Sequence, residues 1–276
     1  MIARLALPAV LLLTAALPAE PQPLSEALRP DFYSTAPWSP DEAEVSRYDL
    51  TIPHDGRELA VEAVIVLRRE TYTREFHVPA SWPHGQKPLF EGLRCTINYQ
   101  IPLTTDSRRV QSQVVFPVGE SPRAVRATMT VVDWEGTTLL DFRRWQEPFT
   151  AFHLSPRDGD GTGEWRLEGG FDARFEEELP ATLRALRFEE QLEARFTLYP
   201  GQLHAGTTEP KPSESILRVR RDGDHWLVDL ESADGRMQEF RYAAEPPHVL
   251  KGWRHSDGRE FRLRDRQLQA YWLAQP

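Results

Sequence analysis

Leu217–Val219, Asp222-Gly223, Trp226–Leu230; Asp234-Gly235, Phe240–Tyr242; Val249–Trp253, Asp257-Gly258, Phe261–Leu263: an apolar run, an Asp-Gly pair and another apolar run recur three times. A two-residue turn that matches strand twist needs positive φ, which Gly and Asp tolerate. Asp-Gly between alternating apolar runs is therefore the strongest local signal of a hairpin. The C-terminal quarter reads as an antiparallel meander.

Upstream the same period of two continues through Tyr48, Leu50, Ile52; Leu59, Val61, Ala63, Ile65, Leu67; Val110, Val114, Phe116; Val125, Ala127, Met129, Val131; and Leu140, Phe142. Arg47, Asp49, Glu62, Arg126, Thr128, Thr130, Asp141 and Arg143 occupy intervening positions, so one face of each strand is apolar and the other wet. Val64 and Val66 interrupt the alternation, which marks 59–67 as a central strand covered on both faces. One helix stands out. Pro suits the first helical position and not the interior, so it should run from Pro180 to Arg187. Glu176, Glu177 and Glu178 precede its positive end, and Arg184 and Arg187 lie toward its negative end. The helix dipole accounts for all of them without a binding role.

The fold expected is mainly β, a curved antiparallel sheet or two such sheets, half-barrel-like, with that one short helix. The organisation expected is a leader over 1–19, a proline-rich arm over 20–44, an antiparallel β region over 45–173, a helical connector over 174–189 and a β-meander over 190–276. Phe32, Tyr33 and Trp38 in the arm should dock rather than float.

Met1-Ile2-Ala3-Arg4 followed by an apolar run to Ala16 reads as a secretory signal peptide, cleaved after Ala16 or Ala19. The run is too short to span a bilayer, which takes ~20 residues. A lipoprotein would need Cys at the cleavage point, and the single Cys is Cys95, so a soluble periplasmic or secreted protein is expected. Cleavage removes one cation, Arg4, and no acid. The mature chain is thus more acidic than the −9 of the full sequence, a balance that opposes nucleic acid and anionic membranes. One Cys means no internal disulfide, and Cys95, in phase with Ile97, Tyr99 and Ile101, reads as a small buried apolar residue.

Chemistry is sparsely signalled. Asp158-Gly159-Asp160-Gly161-Thr162-Gly163 matches the front of a calcium loop, with Asp158, Asp160 and Thr162 as oxygen donors. Gly169 stands where the bidentate Glu belongs, so a solvated turn is the expectation. His77 and His84, like His248 and His255, are seven apart, which places each pair on opposite faces of a regular strand. No Gly-x-Ser-x-Gly, Ser-x-x-Lys or His-Glu-x-x-His motif occurs, and no cofactor is implied. Paired carboxylates from distant strands leave no local motif. The aromatics Trp226, Trp253, Tyr271, Trp272 and Trp134 either fill a core or line a ligand groove in the curved sheet.

Tyr33-Ser34-Thr35-Ala36-Pro37-Trp38-Ser39-Pro40-Asp41-Glu42-Ala43-Glu44-Val45, with Leu179-Pro180, Leu183–Leu186 and the turn at 158–163, resembles a group of uncharacterised exported bacterial proteins. Some of these carry the automated label septum formation inhibitor Maf. A Maf nucleotide pyrophosphatase would be a cytoplasmic α/β protein with a phosphate-gripping start, and nothing in this β pattern matches it. Pro246–Lys251, Ser256-Asp257-Gly258 and Tyr271-Trp272 make the last third similar to DUF3108-type exported β domains. That similarity implies a curved sheet sheltering an acyl chain, as in lipoprotein-carrier half-barrels.

A non-enzymatic binding protein for a lipid or other apolar ligand is accordingly the leading expectation. A hydrolase with paired carboxylates and a structural envelope component with a protein partner are the alternatives. All three share one physical question: a curled sheet must hide its apolar face, and the cover is its own helix, the aromatic arm or a ligand.

Overall fold

The computed structural model describes residues 20–35, 37–80, 88–103, 107–144, 148–155, 161–168, 170, 172–201 and 209–270. The strands are β1 (Gln22–Pro23), β2 (Glu42–His54), β3 (Arg57–Thr73), β4 (Leu89–Pro102), β5 (Ser107–Pro117), β6 (Arg126–Asp133), β7 (Gly136–Arg143), β8 (Phe149–Leu154), β9 (Thr162–Leu167), β10 (Ala173–Phe175), β11 (Glu193–Tyr199), β12 (Ser213–Asp222), β13 (His225–Ser232), β14 (Met237–Ala243), β15 (Leu250–His255) and β16 (Glu260–Ala270). Single helical turns are α1 (Leu24–Ala27), α2 (Phe32–Thr35) and α3 (Leu179–Thr182), the last flanked by 3₁₀ turns at Glu176–Glu178 and Leu183–Ala185.

The three Asp-Gly pairs do turn the chain. Asp222 pairs with His225 across a two-residue loop whose first residue, Gly223, has φ 58°. The other two loops are longer and share one chemistry. Asp234 Oδ1 accepts from the Arg236 N–H at 3.1 Å and Asp257 Oδ1 from the Arg259 N–H at 3.0 Å. Gly235 and Gly258 carry φ of 87° and 92°. Such an Asx turn fixes the residue after Gly, and in both loops that residue is an arginine.

All sixteen strands belong to one sheet, antiparallel throughout except where β1 and β10 run parallel to β11. The two β regions of the sequence meet because β16 pairs with β2, from Glu260 opposite Thr51 to Ala270 opposite Glu42. The path then runs from β11 through β16 to β2 and on to β9. The sheet is open and strongly curved. Phe142 and Phe149 from one end pack on Phe175 and Tyr199 from the other, with the Phe142 and Phe175 rings stacked at 4.4 Å. The Tyr199 hydroxyl also donates to the Glu168 carbonyl. β3 lies between β2 and β4, with Ala63, Ile65 and Leu67 buried. Val64 and Val66 on its other side are only half-buried, so β3 is central in order but covered on one face.

The concave face is covered by the chain itself. Leu179, Ala181, Leu183, Ala185 and Leu186 are buried against it, together with Leu24, Ala27, Leu28, Phe32, Tyr33 and Trp38 of the arm. Phe32, Tyr33 and Trp38 meet edge-on, and Tyr33 lies 5.1 Å from Phe116 of β5. Arm and helical segment also bond to each other: Arg29 N–H donates to the Ala185 carbonyl and Arg187 N–H to the Ala27 carbonyl.

Two sequence expectations need correction here. The helical segment starts at Glu176 rather than Pro180 and ends at Ala185, with Arg187 outside it. The glutamates are not solvated dipole partners either, since Glu176, Glu177 and Glu178 are 3%, 7% and 0% exposed. A helix packed inside the curved sheet has no wet face, so every carboxyl on it must find protein donors or stay protonated. Glu178 accepts from the backbone N–H groups of Ala124 (2.8 Å) and Phe175 (2.9 Å). Arg184 is likewise interior, bound to Glu44 at 2.8 Å and donating from Nε to the Pro247 carbonyl at 3.0 Å.

Candidate functional site

The structure separates the aromatics singled out from sequence. Trp253 is core, stacked between Phe240 (5.4 Å) and Phe261 (4.9 Å), and its Nε1–H donates to Gln238 Oε1 at 3.0 Å. Trp226 is half-buried, stacked on Phe188 at 5.6 Å with the Arg221 guanidinium over it at 4.8 Å. Trp134, 77% exposed, occupies the turn between β6 and β7. Tyr271, Trp272, Asp158 and Asp160 lie outside the described residues, and Thr162 is an exposed residue opening β9. Of the singled-out tryptophans, Trp253 lines an internal cavity.

That cavity lies where polar side chains occupy apolar phases of the strands. Ser112 is in phase with Val110 and Val114, Gln238 with Phe240 and Tyr242, and His255 with Trp253, and all three are buried. Ile97, Tyr99, Val110, Met129 and Phe261 form its apolar wall, and Glu176, Glu177, Gly201 and Arg259 its polar end. About 30 Å³ of it is open to water centres, room for about two waters.

Glu176 is well supplied with donors. Gly201 N–H reaches its Oε2 at 2.8 Å, Arg236 Nη1 the same oxygen at 3.3 Å, and Gln238 Nε2 its Oε1 at 3.2 Å. His255 Nδ1 lies 3.6 Å from Glu176 Oε1 and 3.2 Å from Arg259 Nη2. Arginine has no acceptor, so the Arg259 contact makes Nδ1 the acceptor and puts the ring proton on Nε2. Arg236 and Arg259 come from the two matching Asp-Gly-Arg turns and are steadied by Asp234 and Asp257, each at 2.8 Å from Nε. A Cβ at Gly201 would run into Glu177 Oε1, so alanine there would force that carboxyl to shift.

Glu177 differs from its neighbour. Its Oε2 is buried and has no hydrogen-bond partner among the described residues. Burial first, and the adjacent Glu176 second, push its carboxyl up to about 8, a shift that favours the neutral acid. Burial also pushes the Tyr99 phenol up to about 12. Among the described residues no group of three His, Cys, Asp or Glu side chains is arranged to hold a metal ion.

A second interior cluster is a structural clasp. Glu44 accepts from Arg184, from Arg266 Nη2 at 3.0 Å and from Trp38 Nε1 at 3.2 Å, tying arm, β2, β16 and helical segment together. Despite burial, these cations hold its carboxyl down at about 2. Cys95 sits nearby, buried, with its thiol pushed up to about 12 by burial.

Sequence reasoning missed Glu177, Arg236 and Arg259. Asp-Gly-Arg at 234–236 and 257–259 is a weak signal, since the same tripeptide at 55–57 only turns β2 into β3; the out-of-place polarity of Gln238, His255 and Ser112 is the signal particular to the cavity.

No family model matches the chain, those for DUF3108 and Maf included, and no curated protein matches it. A DUF1089 family protein from Pseudomonas aeruginosa is similar in structure, with 14% identity, 57% of this chain and 82% of that one covered, and a TM-score of 0.38. A β-barrel-like protein of the domain of unknown function DUF1849 from Brucella abortus is similar at 10% identity, over 82% of this chain and 98% of that one, with a TM-score of 0.45.

Proposed function

We propose that this is an exported, non-enzymatic binding protein whose ligand site is the cavity between Glu177 and the Asp-Gly-Arg turns. The observation that carries it is Glu177: a buried carboxyl with an unsatisfied oxygen, lining a cavity with a polar end and an apolar wall. An unsatisfied buried oxygen costs about 1–3 kcal/mol, which a ligand donor would recover. Export follows from the leader at Met1–Ala19.

The ligand is small. The concavity expected to shelter an acyl chain is filled by the helical segment and the arm, and the space at Glu177 takes about two waters. Those dimensions also weigh against glycoside hydrolysis, because Glu176 and Glu177 are chain neighbours on one wall rather than carboxyls flanking a sugar-sized cleft. Native mass spectrometry of the full chain purified from its own envelope is the test. It should show a bound small molecule, absent from a Ser112→Met variant whose side chain fills the cavity. Wild-type protein that flies empty would sink the reading.

A structural envelope role is the second reading, favoured by one outer feature. Val132 and Leu154 are exposed near the Trp134 turn, and β9 pairs only with β8 among the described residues. On that reading Trp134→Ser would release the protein from an envelope complex on blue-native gels; unchanged migration would count against it.

A further inference from the structure

We infer that the free edge of β9 pairs with the β9 edge of a second copy of this chain, antiparallel about a two-fold axis at Trp165. The inference is independent of the cavity.

The edge is open, and its hydrogen-bonding groups can be assigned. β9 ends the strand path, with β8 its one neighbour among the described residues. Ser155 N–H donates to the Gly161 carbonyl at 3.0 Å, and the register continues from Leu154 opposite Thr162 to Phe149 opposite Leu167. Bonded and non-bonded pairs alternate along an antiparallel ladder, so Gly161, Gly163, Trp165 and Leu167 turn their N–H and C=O to β8. Those of Thr162, Glu164 and Arg166 point to the free edge. The next residue in that phase agrees: the Glu168 carbonyl accepts from the Tyr199 hydroxyl, which caps this end of the edge. Exposed edges are commonly guarded by proline, lysine or a bulge. β9 has no proline, no lysine and no register shift against β8.

Charge selects the partner and the register. Glu164 and Arg166 share the outer face, are exposed and make no ion pair among the described residues. Elsewhere on that face Arg218, Arg220 and Arg254 each grip a carboxylate of the neighbouring strand. A second β9 can bond only where edge-facing residues meet edge-facing residues. A two-fold at Glu164 or at Arg166 sets a charge against its own copy, and one at Gly163 gives Glu164 only Thr162. A two-fold at Trp165 sets Glu164 opposite Arg166 twice and closes two doubly bonded pairs. Opposite charges directly across a sheet attract and like charges repel. On the inner face the half-buried Trp165, whose ring lies over Gly163, then meets its copy as an aromatic cross-strand pair. The net charge of −9 opposes self-association in general, whereas this edge is locally neutral. Six residues span about 20 Å, which makes a small interface and a weak, concentration-dependent dimer.

Sedimentation velocity of the full chain between about 1 and 200 µM, the range in which so small an interface dissociates, tests this. Wild-type protein should pass from monomer to dimer. Glu164→Arg and Arg166→Glu each make both crossings repulsive and should weaken the dimer at least about tenfold. Both sites are exposed, so each monomer keeps its fold. An equimolar mixture of the two variants should dimerise again, because the chains then carry opposite charges at both crossings; the double variant should do so alone. A monomer at every concentration, a dimer that tolerates either single reversal, or a mixture that stays monomeric would each overturn the inference.

Discussion

Glu44→Gln should be among the most destabilising single changes in this protein, although it alters one atom. Glu44 and Arg184 are 2% and 3% exposed and doubly bonded at 2.8 and 3.2 Å, with Arg266 and Trp38 on the same carboxylate. Removing one partner of a buried pair strands the other charge, which costs about 3–5 kcal/mol. The carboxyl's own titration gives a second estimate. Folding lowers it from 4.5 to about 2, so ionised Glu44 contributes about 3 kcal/mol at neutral pH. The sign follows from the depression: the contribution is complete above the unfolded value and lost as pH falls through the folded one. Urea unfolding at pH 7 should therefore show Glu44→Gln less stable by about 3 kcal/mol or more, and the gap should narrow on acidification between pH 4.5 and 2. Replacing both Glu44 and Arg184 by Met should cost less than either single change, since it leaves neither charge unpaired. A single-variant loss below about 1 kcal/mol, or strictly additive losses in the double variant, would refute the clasp.

Glu177→Gln should act oppositely. Its carboxyl is raised from 4.5 to about 8, so the wild type loses stability as pH rises between those values, and the variant should melt higher at pH 9 but not at pH 4, checked by calorimetry. Gly201→Ala drives a Cβ into Glu177 Oε1 and should cost about 1–3 kcal/mol; an unchanged melting temperature would contradict the placement of Glu177. Gly258→Ala combines φ of 92° with a contact to Pro53 Cγ at 2.7 Å, whereas Gly223→Ala at φ 58° meets nothing within 4 Å. The first should destabilise clearly more than the second, for which about 1 kcal/mol of backbone strain is expected. Cys95, buried with a thiol near 12, should resist Ellman's reagent until urea unfolds the chain; prompt labelling of native protein would place it wrongly.

The strands were legible because half-buried antiparallel sheets write their burial at every second residue. Tyr48, Leu50 and Ile52, or Val228 and Leu230, announce both strand and facing. The pairing of β16 with β2 was not legible, because period two gives a strand its faces but not its neighbour. The glutamates were misread for a related reason. Three acids ahead of a proline look the same whether a helix starts on the surface or inside a curled sheet. Only the alternation of other strands reveals the difference, through Gln238, Ser112 and His255 at phases that otherwise hold Phe, Val and Trp. The cavity is thus assembled from residues distant in sequence, and the Asp-Gly-Arg its two turns share is a weak local cue, because 55–57 carries it too.

The two turns explain why the cavity lies where it does. A hairpin end is where strand alternation stops dictating side-chain direction, so a long residue just past the turn can fold back over the sheet's mouth. In the turns after β13 and β15 the aspartate fixes the backbone through the next-but-one N–H and also grips the arginine through Nε. Each arginine is thereby preorganised toward the helical segment without further cost in rotamer freedom. The carboxyls of Glu176 and Glu177 are buried at that end, where the turns after β13 and β15 bring Arg236 and Arg259 to the helical segment. Glu176 takes that supply, through Arg236, and the Glu177 carboxyl is pushed upward instead, by burial and by Glu176 beside it. The strand-turn-strand series that defines the fold therefore also sets the one interior carboxyl with an unpartnered oxygen among the described residues, and the two arginine turns should be altered together if that carboxyl is to be moved.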